Sequence, residues 1–440
     1  MSRTLSPRLR RALPPLALLA AYAIFALLYL AGFHDLYKSI LTAIGFDAWS
    51  YPFLDAHGTI ATIDCHRLGF DVLAEDPCDE LGRVQNYSPL WLVLAATPVT
   101  GSWTPAVGLV MGLLFIATLW FLPTARGGWA LAIILCATLS TDVAYALERA
   151  NVDLIMFLLA FAAGTLALRT LPARLLAYPP IVLGACLKFY PAALIILTLR
   201  ERTAMFLASA AAILAALAAF VLIETERLRR TVALIPDGLY FFDRFGATNL
   251  PFGLQEMGLL PIPRAAELLL IAALAATAIG LARSPALPAA LARLTPAEDV
   301  FLMIGATLLA GCFLTAQNIN YRGIYMLFLL PGLTALRETA PTKPWRRLFA
   351  AGAVVAVLLM WEGATRYPMQ LDVAELRSPA WAFLVWHARQ VQWLLRELAW
   401  WCFATLLCAI LLAQVARTPI GAALLKALPA NAPLKPQSPP

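Results

Sequence analysis

Residues Thr203–Ile223, TAMFLASAAAILAALAAFVLI, carry no charged side chain and present almost nothing but apolar and small groups to their surroundings. A run of ~20 such residues is long enough for an α-helix to cross the hydrocarbon core of a bilayer. Similar runs recur at Leu13–Phe33, Pro105–Leu122, Trp129–Ala146, Val152–Leu168, Ala265–Ala282, Val300–Ala316 and Val391–Val415 and, in shorter form, at Tyr321–Leu336 and Leu348–Trp361. The pattern predicts an all-α fold, a polytopic transmembrane helix bundle of about 11 spans.

Composition excludes a soluble globular protein. Of the 440 residues, 61% are hydrophobic and 13% are charged, with a mean hydropathy of +0.76, whereas soluble domains are about half apolar and about a quarter charged. No alternating pattern of short strands indicates an outer-membrane barrel. The first apolar run follows an arginine-rich start, as in a signal peptide, but no small-x-small cleavage pattern follows it. We therefore interpret it as the first span.

The distribution of basic residues orients the bundle. Residues 1–12, 123–128, 169–174, 200–202, 283–299, 337–347 and the tail together carry 18 Lys and Arg but 4 Asp and Glu. The positive-inside rule places such segments in the cytoplasm, which predicts an inner (plasma) membrane protein with its longer loops on the periplasmic or extracellular face. This orientation requires Leu175–Leu199 to be a re-entrant or broken pair, because a single crossing there would invert every later turn. The segment is interrupted by Pro179, Pro180, Lys188 and Pro191.

Three longer segments are predicted on the outer side, at residues 34–89, 224–263 and 362–390. Their aromatic residues favour amphipathic helices that lie at the membrane interface; these residues are Trp49, Tyr51, Phe53, Tyr240, Phe241, Phe242, Trp381 and Trp386. The predicted organisation is a cytoplasmic N-terminus (1–12), one membrane domain (13–417) with a polar first outer loop (34–89), and a Pro-rich disordered tail (418–440).

The first outer loop contains two candidate carboxylates. Asp55 stands beside His57 just after an apolar stretch, and Asp64 follows nine residues later beside His66 and Arg67. A carboxylate that is partly withdrawn from water near a membrane surface is a stronger general base, which favours Asp55, although solvated loop charges explain either residue as well. Carboxylates here could hold a divalent cation, but nothing fixes a ligand set, so neither a metal site nor a cofactor is predicted.

Two cysteines share the same loop. Cys65 and Cys78 lie thirteen positions apart, and an oxidising compartment would allow them to form a disulfide. Because the sequence does not show whether their Cα atoms approach to bonding range, the pairing stays open at this point.

Polar clusters mark the ends of several other apolar runs. ALERANVDL carries Glu148, Arg149, Asn151 and Asp153; LKFYP carries Lys188 and Tyr190; QNINYRGIY carries Asn318, Asn320, Tyr321 and Arg322; and Arg244 precedes FGATNLPFG. Such residues are costly at membrane depth unless they are paired or functional. The simpler interpretations are an interfacial Glu148–Arg149 ion pair and snorkelling of Lys188 and Arg322. Guanidinium and ammonium groups bind phosphate oxygens, so the basic set beside an acidic loop suggests group transfer from a lipid phosphate.

The first-loop aspartate, NYSPLWL, ERANVDL, LKFYP and NYRGIY, in this order, resemble the polyprenol-phosphate-sugar-dependent glycosyltransferases of the GT-C superfamily. The nearest resemblance is to glycosyltransferase family 87, the membrane mannosyltransferase-like proteins, over residues 13–415. It implies a GT-C-type bundle that transfers mannose or another hexose from a polyprenyl-phosphate donor to a lipid or glycan acceptor at the outer face. The chain departs from the family pattern in having no adjacent pair of acidic residues near the first span.

The resemblance also implies roles for individual residues. Asp55 would be the catalytic base, with Asp64 as the fallback. The donor phosphate would be held by the basic set, Arg149, Lys188, Arg322 and Arg244. The substrates would further contact His57, Glu148, Asn151, Asp153, Tyr190, Asn318, Asn320 and Tyr321.

Two other classes of protein stay open. A transporter or flippase of a lipid-linked saccharide typically shows repeats with interrupted helices at matching positions, and only residues 175–199 are interrupted in this way. An O-antigen-type ligase or polymerase would carry its functional loop late in the chain, whereas the richest loop here is the first. The expected partners are the lipid membrane, the lipid-linked donor and the acceptor, and no nucleic acid.

Overall fold

The computed structural model describes residues 5–45, 49, 51–235, 244–366 and 378–427. Within these ranges the chain is mostly helical and has almost no strands, which confirms the all-α prediction. The strands there are β1 (Arg244–Phe245) and β2 (Asn318–Ile319), an antiparallel pair with Arg244 opposite Ile319. The α-helices are α1 (Pro7–Leu30), α2 (His34–Ala43), α3 (Leu54–Arg67), α4 (Thr104–Thr118), α5 (Gly128–Thr138), α6 (Thr141–Arg149), α7 (Asp153–Ala167), α8 (Leu171–Leu175), α9 (Tyr178–Lys188), α10 (Thr203–Ile223), α11 (Thr225–Ala233), α12 (Asn249–Glu256), α13 (Pro263–Ala282), α14 (Ala286–Leu291), α15 (Pro296–Thr315), α16 (Met326–Thr339), α17 (Lys343–Met360), α18 (Glu362–Arg366), α19 (Pro379–Ala416) and α20 (Pro419–Ala427). Short 3-10 helices occupy Pro89–Ala96, Gly101–Trp103, Leu119–Phe121, Tyr190–Arg200 and Asn320–Tyr325.

Among the described residues, 7 helical segments are long and apolar enough to cross a membrane. They are Pro7–Leu30, Gly101–Phe121, Gly128–Arg149, Thr203–Ile223, Pro263–Ala282, Pro296–Thr315 and Pro379–Ala416. Only 11% of the residues in an apolar stretch of α10 are buried inside the protein, whereas 78% are buried in the corresponding stretch of α15. An exposed helix of this composition requires lipid around it, so the protein is a membrane protein. The predicted spans at α7 and α16 are 15 and 14 residues long, so the count of about 11 depends on helices shorter than ~20 residues.

The interrupted segment of the sequence forms a hairpin. Helix α9 ends at Lys188, Phe189 adopts a positive φ of 56°, and the chain returns as the 3-10 helix Tyr190–Arg200. The two ends of the hairpin meet, because the Tyr178 hydroxyl donates to Glu201 Oε1 at 3.2 Å. The segment therefore turns back toward its starting side, as the sequence analysis requires.

The segments that were placed on the inner side because of their basic residues lie together at one end of the bundle. Ion pairs and hydrogen bonds join them in a continuous set: Arg10 to the Ala125 carbonyl (3.1 Å), Arg126 Nε to Glu298 Oε1 (2.7 Å), Arg174 to Glu201 (2.6 Å), Arg200 to Asp299 (3.2 Å), Arg293 to the Thr339 carbonyl (3.2 Å) and Arg417 to Asp299 (3.6 Å). Helices α7 and α15 connect this end to the opposite end, where the first outer loop lies.

Helices α19 and α20 form the C-terminal part of the described chain. Residues 419–427 of the predicted disordered tail form α20, which begins with proline at its first helical position and continues with the apolar IGAALL; residues 428–440 lie outside the described ranges. The predicted third outer segment ends inside α19, a helix of 38 residues that carries Trp381 and Trp386 on its exposed first turns. The predicted interfacial aromatics Tyr240–Phe242 also lie outside the described residues.

Candidate functional site

A cavity of about 300 Å³ opens at the end of the bundle that holds the first outer loop. The first outer loop, the tip of the 178–200 hairpin and the segment around β2 form its walls. Among its described lining residues, four are basic, namely Arg83, Lys188, Arg244 and Arg322, and the single carboxylate is Asp55. We call it the cationic cavity. Residues from four separate sequence motifs thus meet at one place.

Asp55 is held at the wall of the cationic cavity by the start of α3. Phe53, with a positive φ of 69°, precedes this helix, and its N–H donates to the Glu148 carbonyl at 2.6 Å. Asp55 lies in the first helical turn, where the helix dipole favours a negative charge. Asn151 Nδ2 donates to Asp55 Oδ2 at 2.6 Å, and Arg83 Nη1 lies 3.4 Å from Oδ1. The carboxylate is oriented by both neighbours and remains 18% exposed.

Asp64, the fallback base, does not line the cationic cavity. Its Oδ1 accepts from Arg67 at 2.7 Å and its Oδ2 accepts from the Gly101 N–H at 2.7 Å. Arg67 also donates to four backbone carbonyls of residues 94–99. This pair therefore ties the end of α3 to the 3-10 helix Pro89–Ala96, which is a structural role.

Asp153 lies behind the cavity wall and fixes two of its cations. The carboxylate is fully buried, and its Oδ2 lies 2.7 Å from Lys188 Nζ and 3.5 Å from Arg322 Nε. The hydroxyls of Tyr190 and Tyr325 both donate to its Oδ1. Because a buried carboxylate requires such partners, Asp153 acts as the internal anchor of the site.

The anchored cations keep donors for an incoming anion. An ammonium group has three donors and a guanidinium five. Lys188 donates to Asp153 and, at 3.3 Å, to Asn151 Oδ1, and it lies over the rings of Tyr87 and Tyr321 at 5.0 and 5.6 Å. Among the described residues, these acceptors use two of the three N–H groups of Lys188, and an ammonium group at a cavity wall is suited to binding phosphate oxygens.

The other arginines at the cavity wall are also held by neighbours. Arg322 donates to Asn318 Oδ1, and its guanidinium lies 4.9 Å from the ring centre of Tyr190. Arg244 Nη1 donates to Gln317 Oε1 at 2.9 Å. The pairing of β1 with β2 brings these two arginines to the same wall.

Arg83 is a site residue that the sequence analysis missed. Its side chain donates twice to Asp79, at 2.9 Å each, and once to the Leu54 carbonyl at 2.9 Å. Burial alone would raise the pKa of Asp79, but these hydrogen bonds hold it below its ordinary value. A Cβ on Gly58 would lie 2.4 Å from Arg83 Nη2, so glycine is needed for this approach. Residues 79–83 are not helical, so helical spacing in the sequence could not have indicated this pair.

Several predicted site residues do not line the cationic cavity, among them Arg149, Glu148 and His57. Arg149 pairs with Glu148 at 3.2 Å and lies over the Tyr145 ring at 5.5 Å. Glu148 and His57 line a second cavity of about 730 Å³, which runs between α1, α2, α4 and α6 and is otherwise mostly apolar. We call it the apolar groove. A separate buried network, in which Asn320 donates to Glu362 and Glu362 pairs with Arg396 at 3.0 Å, holds the segment that carries Tyr321 and Arg322.

Cys65 and Cys78 form a disulfide within the first outer loop. Asp76 lies close to both sulfurs, but its Oδ2 accepts from the Thr62 hydroxyl at 2.6 Å and neither sulfur is a free thiolate. This cluster is therefore unsuited to a metal ion, since thiolate is the ligating form of cysteine.

Comparisons with protein-family models, with curated proteins and with solved structures found no match to this chain.

Proposed function

We propose that this protein is a glycosyltransferase of the GT-C type. It moves a sugar, mannose or another hexose, from a polyprenyl-phosphate donor to a lipid or glycan acceptor at the outer face of the membrane. The observation that carries the proposal is the cationic cavity, in which one oriented carboxylate, Asp55, shares a wall with four basic side chains. Sugar transfer from a lipid phosphate requires these two chemistries together, a base for the acceptor and cations for the leaving phosphate.

The basic residues bind the donor through its phosphate. Lys188 and Arg322 are fixed by Asp153, so little reorganisation is needed when the phosphate enters, and Arg244 lies at the same wall. As the bond between the anomeric carbon and the phosphate oxygen breaks, the leaving polyprenyl phosphate gains one negative charge. Pre-positioned cations stabilise that added charge in the transition state.

Asp55 activates the acceptor. An acceptor hydroxyl transfers its proton to the carboxylate while its oxygen attacks the anomeric carbon, forming the new glycosidic bond. Asn151 Nδ2 and Arg83 Nη1 hold the two oxygens of Asp55 at 2.6 and 3.4 Å, and the carboxylate lines the cavity. No step in this scheme uses a metal ion or an organic cofactor.

The test is the isosteric substitution Asp55→Asn, with Asp64→Asn as the matched variant in the same helix. With a radiolabelled polyprenyl-phosphate sugar and purified protein in lipid, we expect Asp55→Asn to lower the rate of transfer by about 100-fold or more, the usual contribution of a general base. Asp64→Asn should retain most of the rate. Full activity of Asp55→Asn, or loss confined to Asp64→Asn, would refute the assignment of the base.

A flippase for a lipid-linked saccharide is the second candidate, and the broken hairpin favours it. Transporters place substrate sites at interrupted helices, and here Lys188 lies at the tip of such a hairpin. Proteoliposomes separate the two functions. Movement of a fluorescent lipid-linked saccharide between leaflets without any glycosylated product would support the flippase and contradict sugar transfer.

A further inference from the structure

The apolar groove has the form of a lipid site. Its volume of about 730 Å³ lies within the range of small-ligand sites. Phe25 and Leu30 of α1, Leu41 of α2 and Leu109 of α4 contribute apolar walls. Only 17% of the residues in the apolar stretch of α1 are buried, which places this helix at the edge of the bundle. An apolar chain can therefore enter the groove from the bilayer beside α1.

One end of the groove carries buried polar atoms that lack hydrogen bonds. Within the part of the chain that the structure describes, these are the hydroxyls of Tyr22 and Tyr51, His57 Nε2 and both carboxylate oxygens of Glu148. Glu148 is only 6% exposed. Arg149 and the Tyr37 hydroxyl flank its carboxylate, yet neither oxygen makes a hydrogen bond of normal geometry. Buried polar atoms left in this way are costly, which indicates that a polar ligand group completes them.

Charge distinguishes between possible ligands. The described lining of the groove includes the carboxylates Glu80 and Glu148 but neither lysine nor arginine. Glu148 is already paired with Arg149, so the groove lining offers no basic side chain to a phosphate, whereas the cationic cavity offers four. Carboxylates, an imidazole and phenols are suited to hydrogen bonds with uncharged hydroxyl groups. The ligand that matches both the apolar walls and the polar end of the groove is a lipid with a neutral, hydroxylated head group.

The groove and the cationic cavity meet at the first turn of α3. Phe53 and His57 line the groove, and Asp55 between them lines the cavity. A head-group hydroxyl held at the polar end of the groove therefore lies near the helical turn that carries Asp55. Glu148 at that end is close enough to Asp55 for their charges to interact.

We infer that the apolar groove binds the acceptor, and that the acceptor is a membrane lipid with an uncharged hydroxylated head group. This inference rests on the proposed sugar transfer and narrows its acceptor to a lipid. Lipid occupancy of the groove can be measured without any transfer, so the two can fail separately.

The experiment uses the full chain in nanodiscs and a monoglycosyl diacylglycerol with a photoreactive diazirine in one acyl chain. In the wild type we expect crosslinks to α1 and α4. Ala26→Trp fills the groove, and the matched variant Ala23→Trp lies on the same helix, is exposed and does not line the groove. We expect Ala26→Trp to reduce crosslinking at least about tenfold, because an added indole fills the acyl-chain volume, and Ala23→Trp to leave it unchanged.

A second readout links binding to the reaction. Glu148→Gln and Ala26→Trp should each raise the KM for the glycolipid acceptor about tenfold. A change of this size corresponds to the loss of about one neutral hydrogen bond or its equivalent. The KM for the polyprenyl donor should stay the same. Equal crosslinking of the two tryptophan variants would overturn the inference. So would crosslinking of a photoreactive polyprenyl phosphate to α1 and α4, because the groove would then hold the donor. Glycolipid crosslinking without any sugar transfer would overturn the proposed function and leave the groove as a lipid site.

Discussion

Arg83 offers a quantitative test of how the site is assembled. The Asp79 side chain is 0% exposed and takes two of its hydrogen bonds from the Arg83 side chain. Removing one partner of a fully buried pair costs about 3–5 kcal/mol, and Arg83 itself is 36% exposed, so solvent lowers that cost. We expect Arg83→Met to lower the free energy of unfolding by about 2–3 kcal/mol at pH 7.

The same substitution should slow the reaction. Without Arg83, Asp55 keeps the Asn151 hydrogen bond but loses the guanidinium 3.4 Å from its other oxygen. We expect the kcat for sugar transfer to fall about tenfold, equivalent to ~1.4 kcal/mol in the barrier. Arg230→Met is the control. Arg230 pairs with Asp71 at 2.6 Å in the same region, but both side chains are largely exposed, so little change is expected.

The loss of stability expected for Arg83→Met should depend on pH, and the pKa of Asp79 gives the direction. The folded-state pKa of Asp79 is depressed by Arg83. Its stabilisation is therefore fully present above the unfolded-state pKa of an aspartate, about 3.9, and is lost as the pH falls through the lower folded-state pKa. Unfolding in detergent followed from pH 7 to pH 3 should show the gap between wild type and Arg83→Met closing below about pH 4. A pH-independent gap, or none at pH 7, would refute the reasoning.

Two further substitutions test the walls of the cationic cavity. Lys188→Met should raise the KM for the polyprenyl-phosphate donor about 10–100-fold, the value of a charge-assisted hydrogen bond, and steady-state kinetics showing an unchanged donor KM would contradict the phosphate site. Gly108→Ala places a Cβ 2.3 Å from the Phe53 ring at the start of α3, so it should lower kcat without preventing folding. Gly280→Ala, which meets nothing within 4 Å, is its control, and equal activity of both alanine variants would show that the contact is unimportant.

Part of the site could be predicted because a charged residue in an apolar segment carries a high free-energy cost. Lys188 and Arg322 interrupt apolar runs, and charged groups in such runs are retained when they are paired or functional. The structure brings both to the cationic cavity with Asp55. The sequence could not show, however, that Lys188 is paired with Asp153, because Asp153 is on another helix and lies behind the cavity wall.

Arg149 shows why neighbours in the sequence need not face the same cavity. Ala150 adopts a left-handed conformation with φ 43° at the end of α6, a conformation that a non-glycine residue seldom takes. The chain reverses there, so Asn151 contacts Asp55 while Arg149 remains beside Glu148. Periodicity assumes a continuous helix and therefore gives no information across this turn. The same limit applies to Arg83, which reaches the site from a turn rather than from a helix.

The hairpin that ends at Lys188 has a consequence for biogenesis. A charged side chain within a membrane segment is costly and is usually paired with another charged or polar group. Asp153 precedes Lys188 in the chain and lies at the start of α7, so synthesis delivers the carboxylate before the ammonium. Arg322 follows both. The order of the three residues along the polypeptide thus gives each cation a carboxylate that has already been synthesised, whereas a chain order with the lysine first would leave that lysine without this partner until the aspartate was made.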